Sequence, residues 1–329
     1  MARANGARDL VGVVCLVGNV QPRLMMSDKV LRLVPDERLA RPDFLAAVLQ
    51  SAGVRSQIKA LLSGSTGQGN ISQEAVRRLR VPGMRLGDQR RFVQVLNAVS
   101  SLERSVTETI SKVQIVRQGM LRSLLRSPGQ EVACGGWMRL RLGDVVPSIN
   151  YGTSEALASE PRGVPVLRMN NIRDGRMEVN DLRFCPTVVP ERFVLRRGDV
   201  LFNRTNSIEH VGKAAVWRGE LAEAAFASYL VRLNINREKI LPEYLVEWLA
   251  HPLIRQRVKA ISTVAVQQVN VNPTRLRELE IDFPVDLEEQ RRIVRSLAAC
   301  DDRIRHEEEE LAKLRQLKVG LTDDLLASV

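Results

Sequence analysis

Three clusters of hydrogen-bonding side chains stand beside β-rich runs of this 329-residue chain. Arg168, Asn170, Asn171 and Arg173 follow the run VPVLRM (164–169) into a turn. Arg204 and Asn206 follow DVLFNR (199–204), with Lys213 nearby, and Gln267, Gln268 and Asn270 lie in a stretch without apolar periodicity. Arg and Lys carry donors that suit the two acceptors on the edge of guanine, while the amides of Asn and Gln suit adenine. Such groups read a base only when phosphate contacts hold the protein in register. The same side chains also cap turns and strand ends, so both roles stay open for each cluster. Gln268 and Asn270 have counterparts in Gln68 and Asn70. A shared pair of this kind fits a structural role, because residues reading different sequences should differ.

Catalytic constellations are not in the sequence. No Gly-rich phosphate loop or GxGxxG follows a β-rich run. The Asn/Asp-Pro-Pro-aromatic element of an amino-methyltransferase is missing, since Asn272-Pro273 continues as Thr274-Arg275. His210, His251 and His306 are far apart and sit in no metal or triad spacing. Cys15, Cys134, Cys185 and Cys300 form no CxxC pair and read as reduced thiols of a cytoplasmic protein. The sequence therefore carries no catalytic or metal-ligating residues and implies no cofactor of its own. Lys plus Arg outnumber Asp plus Glu by 49 to 38, a net charge of +11. That balance favours a polyanion, most often nucleic acid, although membrane-surface proteins share it. No apolar run reaches the length of a membrane span; Leu10–Val20 is too short and reads as a buried strand.

The elements that must position these clusters come in two copies about 200 residues apart. VLRLVPDERLARPDFL (30–45) faces LVRLNINREKILPEYL (230–245), matching Arg32 with Arg232, Pro42 with Pro242 and Phe44 with Tyr244. LGDQRR (86–91) answers LEEQRR (287–292), Gly119 answers Gly320, VGVVCLV (11–17) answers VGKAAVW (211–217), and RANG (3–6) answers RTNS (204–207). So long a period is a duplicated domain and not a solenoid. Each copy ends in a helix of about 40 residues, roughly 60 Å long. In 88–126 the expected seam is Phe92, Val95, Val99, Leu102, Val106, Ile110, Val113, Val116, Met120 and Leu124. In 288–327 it runs from Ile293 through Leu297, Cys300, Ile304, Leu311, Leu314 and Leu321 to Leu325, broken at Glu307 and Lys318. Such helices must pair along their length. The acidic run 307–310 reads as a solvated face or one turned to a basic partner. ILPEYLVEWLAHPLIRQRVKAIS (240–262) reads as two helices broken near Pro252, and SPGQEVACGG (127–136) as a linker.

With WMRLRLGDV (137–145), VPVLRMNNIRDGRM (164–177), GDVLFNRTNS followed by VGKAAV (198–216), the Gln/Asn stretch before LRELEIDFP (276–284) and LEEQRRIV before the last helix, the chain resembles the specificity (S) subunit of type I restriction–modification systems. The resemblance runs from Arg3 to the end. It implies an α+β fold: mixed α/β target recognition domains, one partial and one complete, joined by two long antiparallel coiled-coil helices. The expected division is 1–86 for the C-terminal part of a first recognition domain, 87–127 for the first spacer helix and 128–136 for a linker. Residues 137–286 would be a complete second domain and 287–327 the second spacer helix. Each recognition domain would read one half of a split sequence in double-stranded DNA, with the helices fixing the gap. Methyltransferase (modification) and restriction/translocase subunits would dock on those helices and bring S-adenosylmethionine, ATP and the chemistry. One departure stands out: the first copy has no counterpart of 137–203. That leaves two readings, a recognition subunit for a half-site and a remnant acting as a coiled-coil assembly scaffold without sequence-specific binding.

Overall fold

A computed structural model describes residues 1–18, 25–64, 69–125, 136–265 and 268–327. The chain divides into two compact units, Met1–Lys112 with Ile304–Val329, and Val113–Arg303.

In the first unit, β1 (Ala4–Asn5) pairs antiparallel with β2 (Gly69–Asn70). Helices α1 (Pro42–Val48), α2 (Ala52–Ala60) and α3 (Gln73–Arg77) follow local signals: Pro42 opens α1, and the hydroxyls of Ser51 and Ser72 cap the next two. The long helix α4 (Leu86–Leu124) begins here. Phe44, Val48, Val54, Ile58, Ile71, Phe92, Val93 and Leu96 form the core, with Phe44 and Phe92 edge to face at 5.5 Å.

The second unit opens with β3 (Trp137–Arg141), α5 (Leu142–Val145), β4 (Ser148–Tyr151) and β5 (Val164–Leu167). Then come β6 (Ile172–Arg173), β7 (Arg176–Met177), β8 (Arg183–Cys185), β9 (Val200–Asn203) and β10 (Thr205–Asn206). The strands β11 (Ala214–Val216), β12 (Ala225–Phe226) and β13 (Leu230–Asn234) lead to α6 (Pro242–Ala250) and α7 (Pro252–Ala260). After β14 (Ser262–Ala265), β15 (Gln268–Val271), α8 (Pro273–Arg277) and β16 (Glu280–Pro284), the chain enters α9 (Leu287–Ala327). The central sheet has the order β11-β9-β13-β4, a second sheet is β10-β15-β14, and a third is β12-β5-β8 with β12 parallel to β5. β16 pairs with β3, joining both ends of 137–286 in one ribbon stapled by Arg139 and Asp282 (2.7 Å). The core gathers Trp248, Tyr244, Phe202 and Phe283 with Leu121, Leu125, Ile293 and Leu297 from the long helices.

The duplication is reproduced bond by bond. Ala2 exchanges backbone bonds with Val13 O and Gly12 N, as Asn203 does with Lys213 O and Gly212 N. Arg3 N donates to Lys29 O while its carbonyl accepts from Ile71; Arg204 N donates to Tyr229 O while its carbonyl accepts from Val271. Gly12 and Gly212 have φ of +80° and +79°, and an added Cβ would meet Ile58 or Val258 at 2.7 Å. Only glycine fits such a turn. The Gln89 amide is buried, accepts from Arg41 N and donates to the carbonyls of Leu39 and Met84. Gln290 does the same with Leu241 N, Lys239 O and Pro284 O.

Three expectations need correction. Residues 11–17 are not a buried strand: Val11 and Val14 are buried, but Val13, Leu16 and Val17 are exposed. In the second unit β11 lies along β9, whereas here Gly12 N and Val13 O bond to Ala2 while Val11 N and Val13 N turn back to the carbonyls of Arg8 and Leu10. The seam of α4 is not straight either. Phe92, Val99 and Ile110 are buried, yet Val95, Leu102 and Val116 are exposed, and Val93, Leu96, Leu121 and Leu125 point inward instead. The helix packs on globular neighbours such as Phe44 as well as on α9, and that widens and turns its buried face. Within the acidic run Glu308 and Glu309 are exposed, but Glu307 is buried, so the solvated alternative fails for that residue. It falls three residues after Ile304 and four before Leu311, so the helical period turns it inward whatever its polarity.

The paired helices are antiparallel within each unit. In the first, Lys318 on α9 pairs with Glu103 on α4 (2.8 Å). In the second, Arg117 on α4 binds Asp301 on α9 (2.5 Å) and Glu247 on α6 (2.9 Å). Burial opposes the charge of Arg117, but its two carboxylates hold it protonated well above its ordinary range. Burial pushes the Glu247 carboxyl up against the pull of Arg117.

Candidate nucleic-acid interface

The second unit brings the polar clusters onto two neighbouring groups of loops. The first is organised by Asp181. Arg168 donates to its carboxylate at 2.9 Å and Asn170 at 2.8 Å. Asn171 is buried, accepts from Arg168 N and donates to the carbonyls of Glu178 and Asp181. All its bonding capacity is spent inside the protein, so it shapes the loop. Arg173 lies at the tip of the β6–β7 hairpin, whose two-residue turn Asp174-Gly175 has φ of 47° and 76°. Both central residues being left-handed suits a primed turn, and Asp-Gly is a preferred pair for it. Arg173 is exposed and reaches Glu178 (3.5 Å) and Asp174 (3.8 Å), contacts worth little at such exposure.

The second group is organised by Arg204, between β9 and β10. Its Nε donates to Asn270 Oδ1 (3.2 Å), and its guanidinium lies 5.0 Å above the ring of Tyr151 on β4. Asn270 Oδ1 also accepts from the Thr205 hydroxyl. The pairing of Thr205 with Asn270 and Asn206 with Val269 sets these side chains in register. Asn206 accepts from Ser207 N through Oδ1, and Gln268 is exposed at the start of β15. Lys213 is half-buried with no side-chain partner among the described residues. A hydrogen bond from Ser207 holds the Glu209 carboxyl below its usual range. Gln267 and Gln68 lie outside the described residues. The two groups meet at Asn203, buried on β9, whose amide reaches Met169 O at 3.5 Å.

Sequence reasoning missed Tyr151, Tyr229 and Asp181. Both tyrosines are exposed beside Arg204, while Asp181 gathers the first group. Nothing in the segment SINY (148–151) points to Arg204, 53 positions on. Among the described residues no cluster of His, Cys, Asp or Glu is arranged for a metal ion, and no helix is long and apolar enough to cross a membrane.

The fold matches a chain from work on complex assembly and conformational transition of a type I restriction–modification system (TM-score 0.61, 21% identity, 88% of this chain and 72% of that one). It also matches the S subunit of M. genitalium (0.54, 13% identity, 88% and 74%). Residues 135–316 match the type I restriction modification DNA specificity domain. The chain is 30% identical over 192 residues to the putative type I restriction enzyme MjaX specificity subunit of Methanocaldococcus jannaschii, covering 57% of this chain and 45% of that protein. It is 22% identical over 273 residues to the EcoKI specificity subunit of Escherichia coli K12, covering 79% and 58%. The chain belongs to the family of type I restriction–modification specificity subunits, which are not themselves enzymes. It spans about half the length of the curated relatives it matches.

Proposed function

We propose that this chain is a sequence-specific DNA-binding specificity subunit. Residues 137–286 read one half-site, and the helix pair docks methyltransferase and restriction/translocase subunits in the cytoplasm. The observation that carries this reading is the group around Arg204. An arginine braced on an aromatic ring, an exposed glutamine and a half-buried lysine stand at strand ends, and among the described residues no carboxylate pairs with Arg204 or Lys213. Arg204, Asn206, Lys213, Gln268 and Asn270 are the core of the proposed interface, with Gln267 beside them in sequence. Asn170 and Arg173 extend it, and Arg168 and Asn171 hold the loop that presents them. The net charge of +11 supports phosphate contact along the rest of the surface.

The test is a titration of the purified chain against duplex DNA between about 50 and 200 mM salt, followed by selection from a random duplex pool. A steep fall of log K with log salt and enrichment of one short motif are expected. A flat titration removes the DNA reading. Binding without any enriched motif leaves the assembly scaffold.

A further inference from the structure

We propose that Arg204 is a guanine-reading fork, with Tyr151 and Asn270 as the residues that aim it; this rests on the DNA-binding reading above. The argument begins with the backbone. Arg204 is tied on both sides, its N–H to Tyr229 O at 3.1 Å and its carbonyl to Val271 N at 2.8 Å, so the base of the side chain cannot swing. Two further contacts fix its far end. The Tyr151 ring supports one face of the guanidinium, and Asn270 Oδ1 takes the Nε hydrogen. Neither contact uses the terminal NH2 groups, and both lack a partner among the described residues.

Four other arginines of this unit are arranged differently. Arg117, Arg139, Arg168 and Arg232 each spend their terminal groups on a carboxylate, at Asp301 and Glu247, Asp282, Asp181 and Asp199 respectively. Arg204 touches a ring and a neutral amide instead. It keeps a planar pair of terminal donors that no carboxylate occupies among the described residues. Fixing an arginine side chain costs rotamer freedom; here much of that ordering is already in place before any ligand arrives. A preset planar fork matches two acceptors side by side, the O6 and N7 of guanine in the major groove.

The first unit supplies a control for the alternative that the backbone alone dictates the arrangement. Arg3 makes the same two backbone bonds as Arg204, through Lys29 O and Ile71 N. Its side chain has no ring beneath it and no bond to Asn70 among the described residues. The shared backbone bonds therefore do not by themselves aim Arg204; the Tyr151 ring and the hydrogen bond to Asn270 do.

The experiment uses the full chain. A motif is selected from a random duplex pool, and each guanine in it is replaced singly by 7-deazaguanine, which lacks the N7 acceptor. One position should lose roughly ten- to a hundredfold in affinity. Arg204→Ala should erase that discrimination while leaving preferences elsewhere in the motif. Arg204→Lys should keep most non-specific affinity but also lose it. Tyr151→Ala should weaken discrimination at the same position, and Tyr151→Phe, which keeps the ring face, should restore it. Should Arg204→Ala instead lower affinity evenly across all duplexes and leave the motif intact, Arg204 is a phosphate contact and the assignment falls. If the wild-type chain enriches no motif at all, the DNA-reading function fails first and this inference with it.

Discussion

Positions two hundred residues apart in the two units share backbone hydrogen bonds but not surroundings. Val17 and Met26 are 63% and 54% exposed, whereas their counterparts Trp217 and Phe226 are 2% and 0% exposed. Arg32 is exposed, while Arg232 is held by Asp199 and by the carbonyls of Val194 and Arg192. Both units nevertheless keep the glycine turn, a helical arginine that bonds to the loop around it and the buried glutamine: Arg55 on α2 binds the carbonyls of Val11 and Asp9, as Arg255 on α7 binds that of Glu209. The framework of the repeat is thus local, made of short polar clamps and helix packing. Apolar cover is a separate contribution, which in the second unit comes from strands such as β5 and β9.

The largest test of that separation is Trp217→Ala beside Val17→Ala. Emptying the Trp217 site should cost about 3–5 kcal/mol, and the exposed Val17 should change stability by less than about 0.5 kcal/mol. Hydrogen exchange resolved by unit during denaturant unfolding reads both. Similar losses would break the comparison, because they would mean that Val17 is packed in solution.

A smaller contrast lies in the long helices. Arg117→Ala strands Glu247 and Asp301 in a largely buried place and should cost about 3 kcal/mol. Lys318→Ala, at the matching position of α9, removes a single pair with Glu103 in which the lysine is the more exposed partner, and should cost less than about 1 kcal/mol. Equal effects in thermal melts would show that the two ion-pair sites are energetically alike despite their different burial.

The smallest contrast is in pH. His251 caps α7 by accepting from Leu253 N through Nδ1, and Ser51 caps α2 in the matching place. Burial and the nearby charge of Arg122 both depress the His251 pKa below its ordinary 6.5. A depressed folded value means the unfolded chain binds the proton more readily. The stabilisation is therefore complete above pH 6.5 and is lost as pH falls through the folded value. Exchange protection of α7 should drop on acidification while that of α2 holds, and His251→Ser should flatten the response. An acid-sensitive α2, or an α7 unchanged by pH, would refute it.

Much of the fold was legible because periodicity and breakers were undisturbed. VLFN and LVRLN alternate or run apolar between turns, Pro242 and Pro252 mark helix starts, and the two copies of the Pro-containing segment expose the duplication. VGVVCLV was misread because a run's composition reports what could be buried, while burial needs a neighbouring strand. Glu307 was misread because polarity was weighed above helical phase. The interface was legible in residue type but not in partnership. Arg204 and Asn270 were singled out separately, and their meeting depends on the β10–β15 register, which sequence spacing across 66 residues does not encode. Asp181 and Tyr151 carry no local mark at all, since each acts only through chain brought to it by the fold.

Gln89 and Gln290 close both units with the same three bonds, so the polypeptide holds two replicates of one latch in different settings. Temperature, buffer, concentration and purity are identical for the pair by construction. Whatever divergence appears when the two latches are altered in turn measures context, with chemistry subtracted, which separate proteins can rarely offer.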